Sequence, residues 1–224
     1  MYTKIRNLFL ATLLLLISGS ALKANEPDLN LVSESLGHFL VRHLMESEGF
    51  DFNCELVLKG MQDELAKKPS PLTEEEYEQA LGQIQAKHFE EVATTNLKEA
   101  NDFLQKNRTQ EGVIALDEKL QYKLVEAGKG PLVTEESTPL IHYEGKLLDG
   151  TVFASSMSSG GPISVAIQDT IAGFSKGLVG MKEGEKRQLF IHPDFAYGAE
   201  GHLPPNSLLI FEVTIVQVET TESE

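Results

Sequence analysis

At 224 residues the chain can hold one large domain or two small ones, each with its own core. Its 34 acidic residues outweigh 19 basic ones, for a net charge of −15. That sign excludes a nucleic-acid backbone as a charge-held partner, which needs clustered Lys and Arg, and disfavours anionic membrane surfaces.

Residues 1–24 read as a secretory signal peptide. Lys4 and Arg6 give a positive start, Leu8 to Ile17 is an apolar run, and Ser18-Gly19-Ser20-Ala21 offers small residues for cleavage after Ala21. The run is too short to cross a bilayer. No cysteine stands at the cleavage site to carry a lipid. The single cysteine, Cys54, excludes an intrachain disulfide. It is expected as a small buried hydrophobe, with a bridge across a dimer as the other reading.

Residues 25–111 have helical periodicity. A first helix is expected over 30–46, with Leu36, Phe39, Leu40, His43 and Leu44 on one stripe, stopped by Gly49. A second is expected over about 53–67, with Leu58, Met61 and Leu65 inside. Lys68-Pro69-Ser70-Pro71 breaks it. Thr73-Glu74-Glu75-Glu76 fits a capping box and opens a helix that runs to about Asn107. Along it Tyr77, Leu81, Ile84, His88, Val92, Ala93, Leu97, Ala100 and Leu104 step by three or four, apart from the adjacent pair Val92-Ala93. At 1.5 Å per residue this helix spans roughly 50 Å, longer than a small domain is wide. It is expected as an arm outside any core of its own chain. The two short helices are expected to find their core by intertwining with a second copy. A three-helix bundle folded back on itself is the alternative.

Residues 112–224 change period. Residues 112–119 read as a hinge. Strands are expected over 121–126, 140–147, 151–153 after the tight Asp149-Gly150 turn, 163–167, 186–192 and 209–218. One short helix lies between 170 and 181, with Ile171, Phe174 and Leu178 facing inward. The fold class is α+β: an all-helical N-terminal domain with a long connecting helix, then a curved antiparallel sheet wrapped around one short helix. Residues 219–224 are a polar, frayed tail. Between the last two strands lies a loop with Tyr197, Gly198, Gly201, His202 and Pro204-Pro205. A loop this aromatic, pinned between buried strands, reads as a flap over a cavity.

The usual catalytic constellations are missing from the sequence. The six histidines, His38, His43, His88, His142, His192 and His202, form no HExxH and no spaced Cys/His set, so no metal is expected. Ser155, Ser156, Ser158 and Ser159 have no GxSxG elbow around them. Gly160-Gly161-Pro162 leads into a strand, unlike a phosphate loop. What remains is aromatic and aliphatic: Tyr143, Phe153, Phe174, Tyr197 and Phe211, with Ile163 and Ile171. By pattern these are core or pocket alike. Buried tyrosine hydroxyls need partners, and Tyr197 sits in an irregular loop; both features favour a pocket.

Ile141-His142-Tyr143-Glu144-Gly145-Lys146-Leu147-Leu148-Asp149-Gly150-Thr151-Val152-Phe153 resembles the VHYTGxLxDGxxFDSS signature of the FKBP prolyl isomerases. Gly173-Phe174 resembles that family's VIxGW. Phe195 to Ala199 with Pro204 to Val213 resembles its AYG…IPPNxxLxFxVxL ending. The resemblance covers about residues 120–218. The helical half is similar in architecture to the dimerisation module of the exported Mip and FkpA type, which implies domains at 25–111 and 112–224.

The resemblance implies a peptidyl-prolyl cis–trans isomerase without a cofactor. Tyr143, Phe153, Tyr197 and Phe211 are then the catalytic group, and Ile163, Ile171, Phe174, His202 and Leu203 bind substrate. The implied partners are proline-containing unfolded or exported polypeptides, a second copy of the chain, and a macrolide of the rapamycin type. The implied setting is the periplasm or cell surface of a Gram-negative bacterium. Three positions depart from the family pattern. Ala154 stands where the family has Asp, Phe174 replaces the floor Trp, and Ile163 replaces an aromatic. Reduced activity and weaker macrolide binding are expected. Two other readings stand beside this one: a dimeric holdase with little turnover, and an interaction module on an inactive fold.

Overall fold

The computed structural model describes residues 28–46 and 51–218. The signal peptide, the stop at Gly49 and the polar tail lie outside the described residues. The chain divides into two compact units, Met1–Pro69 and Ser70–Glu224.

The first unit contains α1 (Leu29–Met45) and α2 (Cys54–Leu65). Asp28 caps α1 by accepting a hydrogen bond from the Asn30 N–H, and Asn53 caps α2 by accepting from Glu55 and Leu56. Neither helix buries a residue. Leu36, Phe39, Leu58 and Met61 are all exposed, so the apolar stripes of these two helices stay uncovered among the described residues. Cys54 is half-buried rather than enclosed, with its Sγ 3.8 Å from the Phe52 carbonyl oxygen.

The second unit opens with α3 (Glu74–Asn107). Its capping box forms as expected. The Glu76 N–H donates to Thr73 Oγ1 at 3.2 Å, and the Thr73 N–H donates to Glu76 Oε2 at 2.9 Å. These bonds from the Thr73 backbone and hydroxyl hold the Glu76 carboxyl below its ordinary range.

The far end of α3 is not a free arm. Ala100 and Leu104 are buried with Phe190 and Leu208, and Phe103 packs on the Phe190 ring at 5.5 Å. The cause is a second apolar face on the sheet, made by Phe190, Leu208 and Ile210. The helix end is then tied down by fully buried Gln121. Its Nε2 donates to the Leu104 carbonyl at 2.8 Å, and its Oε1 accepts from Asn107 Nδ2 at 2.9 Å. The Leu104 carbonyl, which already accepts from the Arg108 N–H at 3.1 Å, thereby gains a second donor.

Seven strands follow: β1 (Val113–Asp117), β2 (Leu120–Glu126), β3 (Leu140–Lys146), β4 (Val152–Ser155), β5 (Ile163–Ser164), β6 (Lys186–Ile191) and β7 (Leu209–Gln217). They form one antiparallel sheet in the order β1-β2-β6-β7-β3-β4, with β5 paired to β3. The helix α4 (Ala172–Leu178) packs against β2 and β6. The expected α+β architecture is therefore present.

Two local expectations fail. The stretch read as a hinge holds β1, an edge strand with mostly exposed residues. The strand expected over 163–167 pairs only at Ile163 and Ser164. Beyond it Val165 N–H donates to the Pro139 carbonyl at 3.1 Å. Pro139 has no N–H to return, so the ladder ends there. A 3-10 turn at Ile167–Asp169 follows.

The inner face of the sheet holds the core. Leu209, Phe211, Val213 and Ile215 alternate inward from β7, as their period of two requires. α4 lies close to this face because two glycines allow it. A Cβ on Gly173 would meet Ile191 Cγ2 at 2.2 Å, and one on Gly177 would meet Leu189 Cδ1 at 2.7 Å. This close approach seats Phe174 among the core side chains.

Candidate functional site

Four rings converge where β3, β4, β7 and α4 meet. Tyr143 and Gly145 share the inward parity of β3 with buried Ile141. Gly145 stands opposite Phe211 on β7 and Ala154 on β4. Its missing side chain leaves room for two rings. A Cβ there would lie 2.7 Å from Phe153 Cζ and 2.8 Å from Phe211 Cε1. Phe211 is the hub. Its ring centroid is 4.9 Å from Phe174, 5.5 Å from Phe153 and 6.3 Å from Tyr143. Tyr143 meets Phe174 edge-on at 6.4 Å. Such tilted and T-shaped pairs place ring edges against ring faces, the geometry aromatic quadrupoles favour.

Burial grades across the cluster. Phe174 and Phe211 are buried, while Tyr143, Phe153, Ile163, Ile171 and Leu203 are half-buried and packed against the same core. Buried rings beneath half-open walls make a cup. Beside it opens a cavity of about 320 Å³, lined by Tyr143, Val152, Phe153, Ala154, Ser155, Ser158 and Ser159. No charged side chain is among these lining residues, and Ala154 is one of them.

The rest of the expected set lies elsewhere. Tyr197 is 41% exposed on the flap, and its ring contact is with His202 at 5.7 Å. Tyr197 and His202 thus form a pair on the flap and are not among the packed rings. Neither the Tyr143 hydroxyl nor the Tyr197 hydroxyl has a hydrogen-bond partner among the described residues.

Three groups that hold the cup escaped the sequence reading. Ser156 is fully buried, and its Oγ accepts from the Tyr143 N–H at 3.1 Å while lying 3.2 Å from His142 Nδ1. The Ser156 N–H donates to the Tyr143 carbonyl at 3.0 Å, so one serine fixes both backbone groups of Tyr143. Arg187 and Glu185 form a buried ion pair under the end of α4, and Gly145 makes the space just described. Parity was the available signal: Gly145 alternates with Tyr143, and Arg187 with Leu189 and Ile191.

The flap springs from a buried root. His192 accepts from the Asp194 N–H at Nδ1, 3.2 Å, and burial pushes its pKa below the usual value. Lys119 pairs with Asp194 and holds that carboxyl below its ordinary range. The root thus joins the β1–β2 turn to the start of the flap.

Comparison with known proteins is consistent across the chain. The family described as FKBP-type peptidyl-prolyl cis-trans isomerase matches residues 130–216, and the domain amino terminal to FKBP-type peptidyl-prolyl isomerase matches residues 30–124. The chain is 44% identical over 203 residues to the peptidyl-prolyl cis-trans isomerase Mip of Chlamydia trachomatis, covering 90% of this chain and 82% of that one. It is 34% identical over 196 residues to FkpA of Escherichia coli, covering 83% and 72%. The crystal structure of Escherichia coli FkpA superposes with a TM-score of 0.67 at 32% identity, covering 88% of this chain and 99% of that chain.

Proposed function

The chain belongs to the FKBP-type peptidyl-prolyl cis-trans isomerases of the Mip and FkpA type, and from that premise we propose that it isomerises X–Pro bonds of exported polypeptides in the cup of rings around Phe211. The convergence of Tyr143, Phe153, Phe174 and Phe211 carries this reading. Rotation about an X–Pro bond is opposed by amide resonance, a barrier of about 18–20 kcal/mol. No bond is made or broken. In the twisted state the C–N bond loses double-bond character and the carbonyl loses dipole. An apolar, water-poor cup disfavours the polar planar amide more than the twisted one.

Each residue then has a part. Phe153, Phe174 and Phe211 hold the proline ring, with Ile163, Ile171 and Leu203 closing the sides. Tyr143 orients the bound backbone from the wall. Tyr197 donates a hydrogen bond to a substrate carbonyl from the flap, and His202 shapes the flap rim. Tyr197→Phe is expected to lower kcat/KM about fivefold, the worth of one such bond. It is expected to leave suppression of aggregation of an unfolded client unchanged. A protease-coupled isomerisation assay, run beside a light-scattering assay, reads both. Wild-type kcat/KM in the variant would remove Tyr197 from the site. Ala154 thins the polar rim, so a rapamycin-type macrolide should bind this cup more weakly than it binds the Ala154→Asp variant; equal affinities in a fluorescence titration would remove that effect.

Export is carried by the leader pattern of residues 1–24, and assistance to folding follows from isomerase chemistry in that compartment. The uncovered stripes of α1 and α2 support a homodimer through the first unit: neither helix buries a residue, and Leu36, Phe39, Leu58 and Met61 need a partner face. Light scattering coupled to size exclusion should return twice the chain mass. A monomer at micromolar concentration would contradict it. Client capture by the dimer with little turnover is the second reading, favoured by Ala154 and by Tyr77, Ile84 and Phe89, which stand exposed along α3.

A further inference from the structure

We propose that α3 is a positioning element of the isomerase itself, holding the flap through Asn96 and Asn206. The inference rests on the reading of Tyr197 as a flap donor.

Two side chains cross between elements far apart in sequence. Asn96 Nδ2 donates to the Pro205 carbonyl at 2.8 Å, and Asn206 Nδ2 donates to the Ala93 carbonyl at 3.2 Å. The exchange is reciprocal, with helix to loop and loop to helix one turn apart. Ala93, Asn96, Ala100 and Leu104 recur at spacings of three and four, so they share one face of α3. The lower end of that face buries Leu208 with Ala100 and Leu104. Loop residues 205, 206 and 208 are thus held by three successive turns of the helix.

Asn206 carries the constraint onward. Its φ is 55°, in the left-handed region that Asn enters more readily than most residues. In that conformation its N–H donates to the Gly198 carbonyl at 2.7 Å, while its side chain reaches α3. The Gly198 N–H donates in turn to the Pro193 carbonyl at 3.0 Å. Gly198 directly follows Tyr197. The helix is therefore two hydrogen bonds from the residue next to Tyr197. Tyr197 has little packing of its own: it is 41% exposed, and among the described residues its aromatic ring partner is His202. Its direction is set by this tether and by the flap root.

A released flap samples other directions, and a substrate must then select the competent one. Apparent affinity falls by the competent fraction, which raises KM and spares the bound complex. Loss of folded protein does the reverse, lowering kcat per chain at constant KM. Asn96→Leu keeps size and removes the donor. Asn206→Asp keeps tolerance of the left-handed backbone and turns a carboxylate toward the Ala93 carbonyl. Each full-length variant is expected to raise KM for a short X–Pro peptide about fivefold, with kcat within about twofold, as one lost hydrogen bond dictates. Exchange spectroscopy over a peptide concentration series separates the two constants. Amide exchange supplies a readout besides activity: the backbone amides at positions 206 and 198 should exchange faster in both variants while those of β6 and β7 hold. Unchanged KM, or unchanged exchange at those two amides, overturns the proposal. The two failures are distinguishable. Wild-type KM in both variants beside a full effect of Tyr197→Phe overturns the tether alone. A silent Tyr197→Phe overturns the role of Tyr197, and the amide exchange still decides the tether.

Discussion

Arg187→Met is expected to cost about 3–5 kcal/mol of stability, the usual penalty for stranding one partner of a buried ion pair. Arg187 and Glu185 are 8% and 6% exposed. Arg187 Nε donates to Glu185 Oε1 at 2.5 Å, and Nη1 donates to the Gly177 carbonyl at 3.0 Å. The guanidinium also lies 4.3 Å from the centroid of the Tyr122 ring, and Glu185 Oε2 accepts from the Lys182 N–H at 3.1 Å. This one side chain ties the last turn of α4 to β6 and covers β2. Methionine fills much of the volume but leaves a carboxylate without its cation and a helix carbonyl without its donor. Thermal unfolding should fall by roughly 10 °C at two to four degrees per kcal/mol. Glu185→Gln with Arg187→Met should recover a large part of the loss, because no bare charge remains. A single variant within about 1 kcal/mol of wild type would show that the pair does not anchor the helix.

Gly145→Ala is expected to lower kcat/KM about a hundredfold, through displacement of the rings rather than loss of any reacting group. The added Cβ would sit 2.7 Å from Phe153 and 2.8 Å from Phe211, against a carbon–carbon contact of about 3.5–4.0 Å. Both rings must then move by roughly 1 Å. Gly145 lies in a strand paired on both sides, to Phe211 and to Ala154, so the backbone cannot retreat cheaply. The overpacking should also cost about 1–3 kcal/mol, leaving a folded domain in which kinetics can be measured. Near wild-type turnover in a folded Gly145→Ala would mean that the Phe153–Phe211 contact is not part of the reaction site.

Much of the fold is legible in the sequence. The alternation of Leu209, Phe211, Val213 and Ile215 declares one buried face, and the capping box at Thr73 announces the start of α3. The motif around Tyr143, Phe153 and Phe211 gave the rings that the fold then brought together. The misses have physical causes. The stripe on α3 looks the same whether its cover is a second copy or the outer face of the sheet, and only folding shows Leu208 and Phe190 beneath its last turns. β1 is an edge strand with outward apolar residues, so alternation cannot separate it from a linker. β5 is cut short by Pro139, a residue distant in sequence. Arg187, Ser156 and Gln121 are polar residues that become buried because specific partners accept them, and composition carries no trace of those partners.

We propose that a proline ring sits among the rings of Tyr143, Phe153, Phe174 and Phe211 during turnover. Intermolecular NOEs between the full-length protein and an X–Pro peptide in catalysed exchange test it most directly. The expected result is contact from the proline Hγ and Hδ protons to the ring protons of Phe174 and Phe211, with upfield ring-current shifts of those proline signals. Catalysed exchange with proline contacts confined to other side chains, and no such shifts, would contradict it.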